Sequence, residues 1–162
     1  MFNLKSSLYL KLIFTVSLIS IITAYFIEYA LGYQPCNLCL IERVPYVLSI
    51  ILISIIFIFK KSGKFLILLL TLIFTFSFLI SIYHLGIELG FIEESLVCGL
   101  KNTAETISKE ELLKQLNEIN ISCKDVTFRI FGLSLTSINV ILSLIITIIT
   151  IKLYILNEKN KL

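Results

Sequence analysis

Two of the four cysteines in this chain stand three positions apart, in the stretch Gln34-Pro35-Cys36-Asn37-Leu38-Cys39-Leu40-Ile41-Glu42-Arg43. A C-x-x-C at a helix start puts both sulfurs in one turn, where the positive end of the helix dipole favours a thiolate. Thiolates exchange disulfides, so the first chemistry to consider is redox. Arg43, one of only two arginines, follows Cys39 at i+4 and shares its face. A fixed cation there would stabilise a Cys39 thiolate or donate to a carbonyl oxygen of an electron acceptor. The plainer explanation is a disulfide tightening a loop beside a snorkelling arginine. The redox reading outweighs it because this dithiol lies beside a cation at a membrane edge. Pro35 either opens a helix that Pro45 then kinks, or the helix begins at Pro45; the sequence leaves both open.

Cys98 and Cys123 form a second pair, 25 positions apart. Zinc prefers closely spaced ligand pairs, often with histidine. This pair is not closely spaced, and the single histidine, His84, lies on an apolar span, so no metal site is expected. Taken alone, Cys98 and Cys123 read as a structural disulfide in an exported loop. A reactive dithiol within reach changes that, because two such pairs can pass a disulfide through a mixed intermediate. His84 and Glu88 lie one helical turn apart. An ionisable group at membrane depth points to function. His84 would donate to a quinone oxygen or move protons; the alternative is an interfacial histidine bonded to a neighbour. Glu28 and Glu42 read as solvated interface residues or partners for Arg43.

The elements that must position these residues are apolar. Of 162 residues 57% are hydrophobic, against about 45–50% in a soluble domain, and the mean hydropathy is +0.98. One small core cannot hide that excess, so lipid must solvate it. Candidate spans run over about 11–30, 39–59, 65–85 and 131–151. Crossing about 30 Å of hydrocarbon takes about 20 helical residues, and only helices or closed barrels satisfy their backbone there. The expected fold is all-α: a four-helix transmembrane bundle, one integral membrane domain over 1–162. Its two outer loops cover about 31–43 and 86–130. Ser108-Lys109-Glu110-Glu111 reads as a capping box, with Leu112, Leu113, Leu116 and Ile119 at helical spacing, so the second loop should hold a short helix.

Lys5 and Lys11, then Lys60, Lys61 and Lys64, then Lys152, Lys159 and Lys161 mark three basic flanks. The positive-inside rule puts these flanks and both termini in the cytoplasm. All four cysteines then face outward. Ala30-Leu31-Gly32 resembles a signal-peptide cleavage site, but the apolar stretch is long and Glu28 is badly placed, so a retained first span is expected.

With these residues in hand, the chain resembles the bacterial disulfide bond formation protein B (DsbB) family. The shared features are the C-x-x-C after the first span, the arginine four residues beyond it, and two cysteines in the second outer loop. Tyr83-His84-Leu85-Gly86-Ile87-Glu88 looks like the family's Tyr-His-x-Gly-x-Glu. Phe131-Gly132-Leu133-Ser134-Leu135 with Asn139 resembles its last motif, with Ile138 where a tryptophan is frequent. The resemblance implies an inner-membrane protein-disulfide:quinone oxidoreductase. It would reoxidise a periplasmic DsbA-like thioredoxin-fold protein and pass the electrons to a membrane quinone, ubiquinone or menaquinone. Cys98 would form the mixed disulfide with the partner and Cys123 would pair transiently with Cys36. Cys39 would face the quinone beside Arg43 and His84. Besides lipid, no other partner is implied, and no nucleic acid. Two other readings compete. One is a quinone oxidoreductase of the vitamin K epoxide reductase type, whose C-x-x-C comes late in its bundle. The other is a membrane scaffold with two structural disulfides.

Overall fold

The computed structural model describes residues 4–59, 64–93, 123–124, 129–130 and 132–159. Helix α1 (Leu4–Tyr25) widens into a π-helical turn, Phe26–Ala30, and stops where Gly32 takes a positive φ of 76° ahead of Pro35. Helix α2 spans Asn37–Phe59 and α3 spans Lys64–Glu88. A two-residue hairpin, β1 (Arg129–Ile130) against β2 (Leu133–Ser134), then turns the chain into α4, Leu135–Lys159. The fourth helix thus begins later than the expected 131, because the hairpin occupies the preceding residues. The short helix expected over about 108–119 lies outside the described residues.

The second helix runs unbroken from Asn37 through Pro45 to Phe59. The choice left open by the two prolines therefore falls to a long helix that tolerates Pro45 inside it. Proline there removes one amide donor, and that loss is bearable in a helix flanked by others. Helix ends follow local chemistry. At the end of α3, Gly90 takes φ 77°, its N–H donates to the Ile87 carbonyl, and Phe91 N–H donates to the Gly86 carbonyl. This paired closure needs a residue free to enter the left-handed region. At the start of α4, Ser134 Oγ accepts the Ser137 N–H at 3.1 Å, the contact of an N-cap serine.

Sequential helices are neighbours, and α1 closes on α4. The four helices are each long and apolar enough to cross a membrane. Their outer faces carry Leu8, Ile22, Ile58, Phe65, Leu72, Phe76 and Ile141, all exposed. Their inner faces bury Leu10, Ile53, Ile56, Phe74 and Leu153 but also Ser17, Ser49, Ser81, Ser143 and Thr150. Small polar residues inside and large apolar ones outside suit a bundle solvated by lipid. The hydroxyls are bonded: Ser49 Oγ donates to Ser17 Oγ at 3.0 Å, joining α2 to α1. Thr147 and Thr150 donate to carbonyls of their own helix.

The ends of the bundle differ. The end of α1, the start of α2, the end of α3 and the start of α4 meet at one end, and that end holds the C-x-x-C. Lys11, Lys64 and Lys152 sit toward the other, where Lys64 Nζ lies 5.4 Å from the Tyr154 ring centre.

Packing should outweigh polar contacts in holding this bundle. Phe74 is fully buried and meets Tyr46 edge-on, centroids 5.9 Å apart. Phe74→Ala is expected to cost about 3–5 kcal/mol in a detergent-denaturation titration. Ser49→Ala, which removes one interhelical hydrogen bond, should cost about 0.6 kcal/mol. The reverse order would mean that hydroxyl pairs hold the helices.

Candidate functional site

Cys36 is the residue just before α2. Its carbonyl accepts the Leu40 N–H at 3.2 Å, and its Sγ accepts the Cys39 N–H at 3.4 Å. These are the two bonds of an N-cap residue, with sulfur in the place usually taken by oxygen. The sulfur therefore sits on the positive end of the α2 dipole. The Cys39 sulfur is 3.0 Å away and both thiols are free. On the other side, His84 Nε2 of α3 lies 3.5 Å from Cys36 Sγ.

These neighbours bring the Cys36 thiol down from 9.0 to about 4. The hydrogen bond with the Cys39 side chain is the largest cause. Burial opposes it, and the hydrogen bond and electrostatic attraction of His84 add to it. With Cys36 ionised, the Cys39 thiol is the donor between the two sulfurs. The sequence reading expected the cation-stabilised thiolate at Cys39; the fold offers the capping position to Cys36.

His84 is 2% exposed. Its Nδ1 bonds Glu42 Oε1 at 2.9 Å, so both ring nitrogens are engaged, one by Glu42 and one by Cys36. Glu42 is itself buried, not a solvated interface residue. Its second oxygen accepts from Asn139 Nδ2 at 2.8 Å. The same amide donates to Ser81 Oγ at 2.8 Å, and its oxygen accepts the Tyr46 hydroxyl. One polar chain therefore runs Cys36–His84–Glu42–Asn139–Tyr46, tying α2, α3 and α4 together. Sequence reasoning missed Tyr46 and Ser81 because a tyrosine and a serine on an apolar span carry no signal alone. Asn139 was visible only as part of a motif.

Arg43 meets Glu28, to which its Nη1 donates, and its guanidinium carbon lies 5.1 Å from the Tyr25 ring centre. Glu28 is a residue of the π-helical turn, a distortion often found at functional sites. Of the two partners weighed for Arg43, the fold uses Glu28.

Cys123, which is disulfide-bonded, is buried in one cluster with Cys36, Leu38 and Ile87. Cys123 thus packs beside Cys36 at the start of α2. Cys98 lies outside the described residues. A cavity of about 330 Å³ opens beside the C-x-x-C. Cys36, Cys39, Arg43, His84 and Cys123 all line it, so the fold brings together every described residue that the sequence singled out for chemistry. Its remaining walls are largely apolar, with Ile19, Ile27 and Leu142 among them.

Fold and site define a multi-pass membrane protein with a partly buried dithiol at one end of a four-helix bundle. The chain belongs to the DsbB family: the family model described as "Disulfide bond formation protein DsbB" matches residues 6–153. Membership supports a disulfide oxidoreductase role. The chain is also similar to the uncharacterized protein RP370 of Rickettsia prowazekii (strain Madrid E), 29% identical over 136 residues, or 83% of this chain and 79% of that one. No solved structure matches it.

A lowered thiol keeps its charge as pH falls and loses it only on passing its own pKa. In the reduced protein, one thiolate per chain should therefore persist in ultraviolet absorbance from neutral pH down to about 4. His84→Gln should move that loss to higher pH. A sulfur that titrates near 9.0 in the unaltered protein would mean that the capping geometry does not hold in solution.

Proposed function

We propose that this protein draws electrons from a reduced thioredoxin-fold thiol oxidase of the DsbA type and delivers them to a membrane quinone. The observation that carries this reading is the burial of Cys36 and Cys123 in one cluster, beside a cavity that reaches Cys39 and Arg43. The lysine-flanked ends face the cytoplasm in this reading, and the cysteine end faces the periplasm.

The cavity fits the acceptor. Its volume of about 330 Å³ lies at the small end of the range for ligand sites, about 300–1,000 Å³. Its wall is mostly apolar by area, with polar side chains such as Gln34, Glu88 and Thr136 set into it, which suits a flat, lipid-soluble ring that carries polar oxygens. Arg43 is its polar anchor, because a guanidinium carries five N–H donors and keeps some to spare beyond Glu28. His84, with both nitrogens engaged, serves the sulfurs instead: it holds the charge of Cys36 and is in place to take up or return a proton. A quinone supplies the terminal chemistry as an acceptor of two electrons and two protons.

The thiol steps balance as exchanges, starting with Cys36 bonded to Cys39 and Cys98 bonded to Cys123. A thiolate of the partner attacks Cys98 and releases Cys123 as a thiolate. Cys123 attacks Cys36, breaks the Cys36–Cys39 bond and frees Cys39. The partner's second thiol resolves its mixed disulfide, leaving the partner oxidised and Cys98 as a thiolate. Cys98 then recaptures Cys123, and Cys36 and Cys39 are left as a dithiol beside the cavity. Free Cys36 and Cys39 with a disulfide-bonded Cys123 correspond to that last state. Partners of this class are strong oxidants, at about −120 mV for DsbA, so a high-potential acceptor is needed to make the sum favourable.

Quinone reduction by the purified protein, driven by a reduced thioredoxin-fold partner, is the test. Cys39→Ser should abolish turnover, and Arg43→Leu should raise the quinone KM more than it lowers kcat. Turnover retained without the Cys39 sulfur would remove that residue from the route. A protein whose four cysteines stay fully oxidised and resist alkylation when the reduced partner and quinone are supplied would be a scaffold instead.

A further inference from the structure

The chain's only histidine was set aside as a metal ligand because it lies on a span. The fold carries it to the C-x-x-C. Cys36 Sγ, Cys39 Sγ and a ring nitrogen of His84 lie within 4.8 Å of one another. We propose that the reduced dithiol and His84 bind one divalent cation of the Zn²⁺ class, and that this site exists only while both sulfurs are free.

Three observations carry the assignment. The first is the donor set. Two thiolates and one imidazole form the Cys2His set of an open zinc site, which keeps its fourth position for an outside ligand. Here the adjoining cavity provides that fourth side. The second is distance. Zinc at about 2.3 Å from sulfur and about 2.0–2.1 Å from nitrogen sets a tetrahedral S···N separation of about 3.6 Å and S···S of about 3.8 Å. The Cys36–His84 separation is 3.5 Å and needs no change. The sulfurs, at 3.0 Å, must part by less than an ångström, which a side-chain rotation supplies. The third is the support behind the histidine. Metal-bound imidazoles characteristically donate their other N–H to a carboxylate, which fixes tautomer and ring plane. Glu42 Oε1 occupies that place at 2.9 Å from Nδ1, and Asn139 holds Glu42 in turn. The nitrogen left facing the sulfurs is Nε2.

The consequence is a redox gate. A disulfide between Cys36 and Cys39 removes two of three ligands, so the oxidised protein cannot hold the ion. The dithiol can, and while the ion is bound neither sulfur can re-form the disulfide. A borderline-soft cation would trap the protein in its reduced state. This assignment rests on ligand geometry and not on the proposed electron route.

Cobalt(II) is the probe, because tetrahedral thiolate coordination gives it intense visible bands. The full chain is purified in detergent with Cys98→Ser and Cys123→Ser, so that no other sulfur pair competes. The reduced protein should bind one Co²⁺ per chain with those bands and release it to Zn²⁺. Oxidation to the disulfide should abolish binding. Glu42→Gln should weaken affinity about 10–100-fold. His84→Gln should weaken it at least as much and alter the bands, and His84→Cys should restore a tetrahedral site. Because the two serine changes alter packing around Cys36, the oxidised and reduced wild-type chains are compared in parallel and should differ in the same sense. Three results would overturn the proposal: no stoichiometric binding to the dithiol, equal binding to the disulfide, or an unchanged affinity and spectrum in His84→Gln.

Discussion

A carboxyl group inside a lipid-embedded bundle must find its partners among the helices themselves. Glu42 is that group. It is buried, and His84 and Asn139 hydrogen-bond its two oxygens. Leaving a buried charge unpaired costs about 3–5 kcal/mol, several times the about 0.6 kcal/mol of an ordinary interhelical hydrogen bond in lipid. The rest of the site follows from this arrangement. It fixes α3 in rotation and height against α2, since His84 must meet a carboxyl group on the second turn of that helix. It fixes α4 through Asn139. His84, bonded on one nitrogen, can aim the other only toward the cap of α2, where Cys36 stands.

The C-x-x-C therefore gets its asymmetry from position more than from spacing. Two cysteines in one turn are nearly equivalent by sequence. Once α2 starts at Asn37, Cys36 becomes the capping residue and Cys39 falls inside the helix. Only the first receives an amide, the dipole and the histidine together. The two sulfurs thus have separate environments: Cys36 is buried against Cys123 and His84, while Cys39 is partly buried inside the first turn of α2. A disulfide relay needs such a distinction, because each exchange must have a defined attacking sulfur and a defined leaving one.

Much of the architecture was legible in the chain. Apolar length specified four helices, and lysine flanks sorted the two ends. The C-x-x-C with Arg43, and His84 with its neighbours, marked the chemically active end. What was not legible depended on rotation. Whether Glu42 faces solvent, Arg43 or His84 is decided by how far α2 turns about its axis, and apolar spans have little amphipathic pattern to reveal it. Pro45 obscured the start of α2 for a related reason: proline breaks helices in water, yet a bundle in lipid tolerates it. Zinc looked excluded because ligand spacing along the chain was the only criterion available. Cys39 and His84 are 45 positions apart in sequence, and only the antiparallel pairing of α2 with α3 brings them together.

The two ends of the bundle solve different physical problems. Toward the lysine-flanked end the interior is Leu and Ile with Thr147 and Thr150, whose hydroxyls bond within their own helix and ask little of a neighbour except shape. Toward the cysteine end it is Glu42, His84, Asn139, Ser81 and Tyr46, bonded across three helices. A mobile interior would be cheap at the first end and costly at the second, because each polar group there has its partners on other helices. Sulfur exchange and hydrogen bonding depend on tenths of an ångström, so the chemistry sits where the bundle is cross-bonded. The cavity lies at the cross-bonded end, with Cys36, Cys39, His84 and Asn139 in its wall beside apolar residues such as Ile19, Ile27 and Leu142.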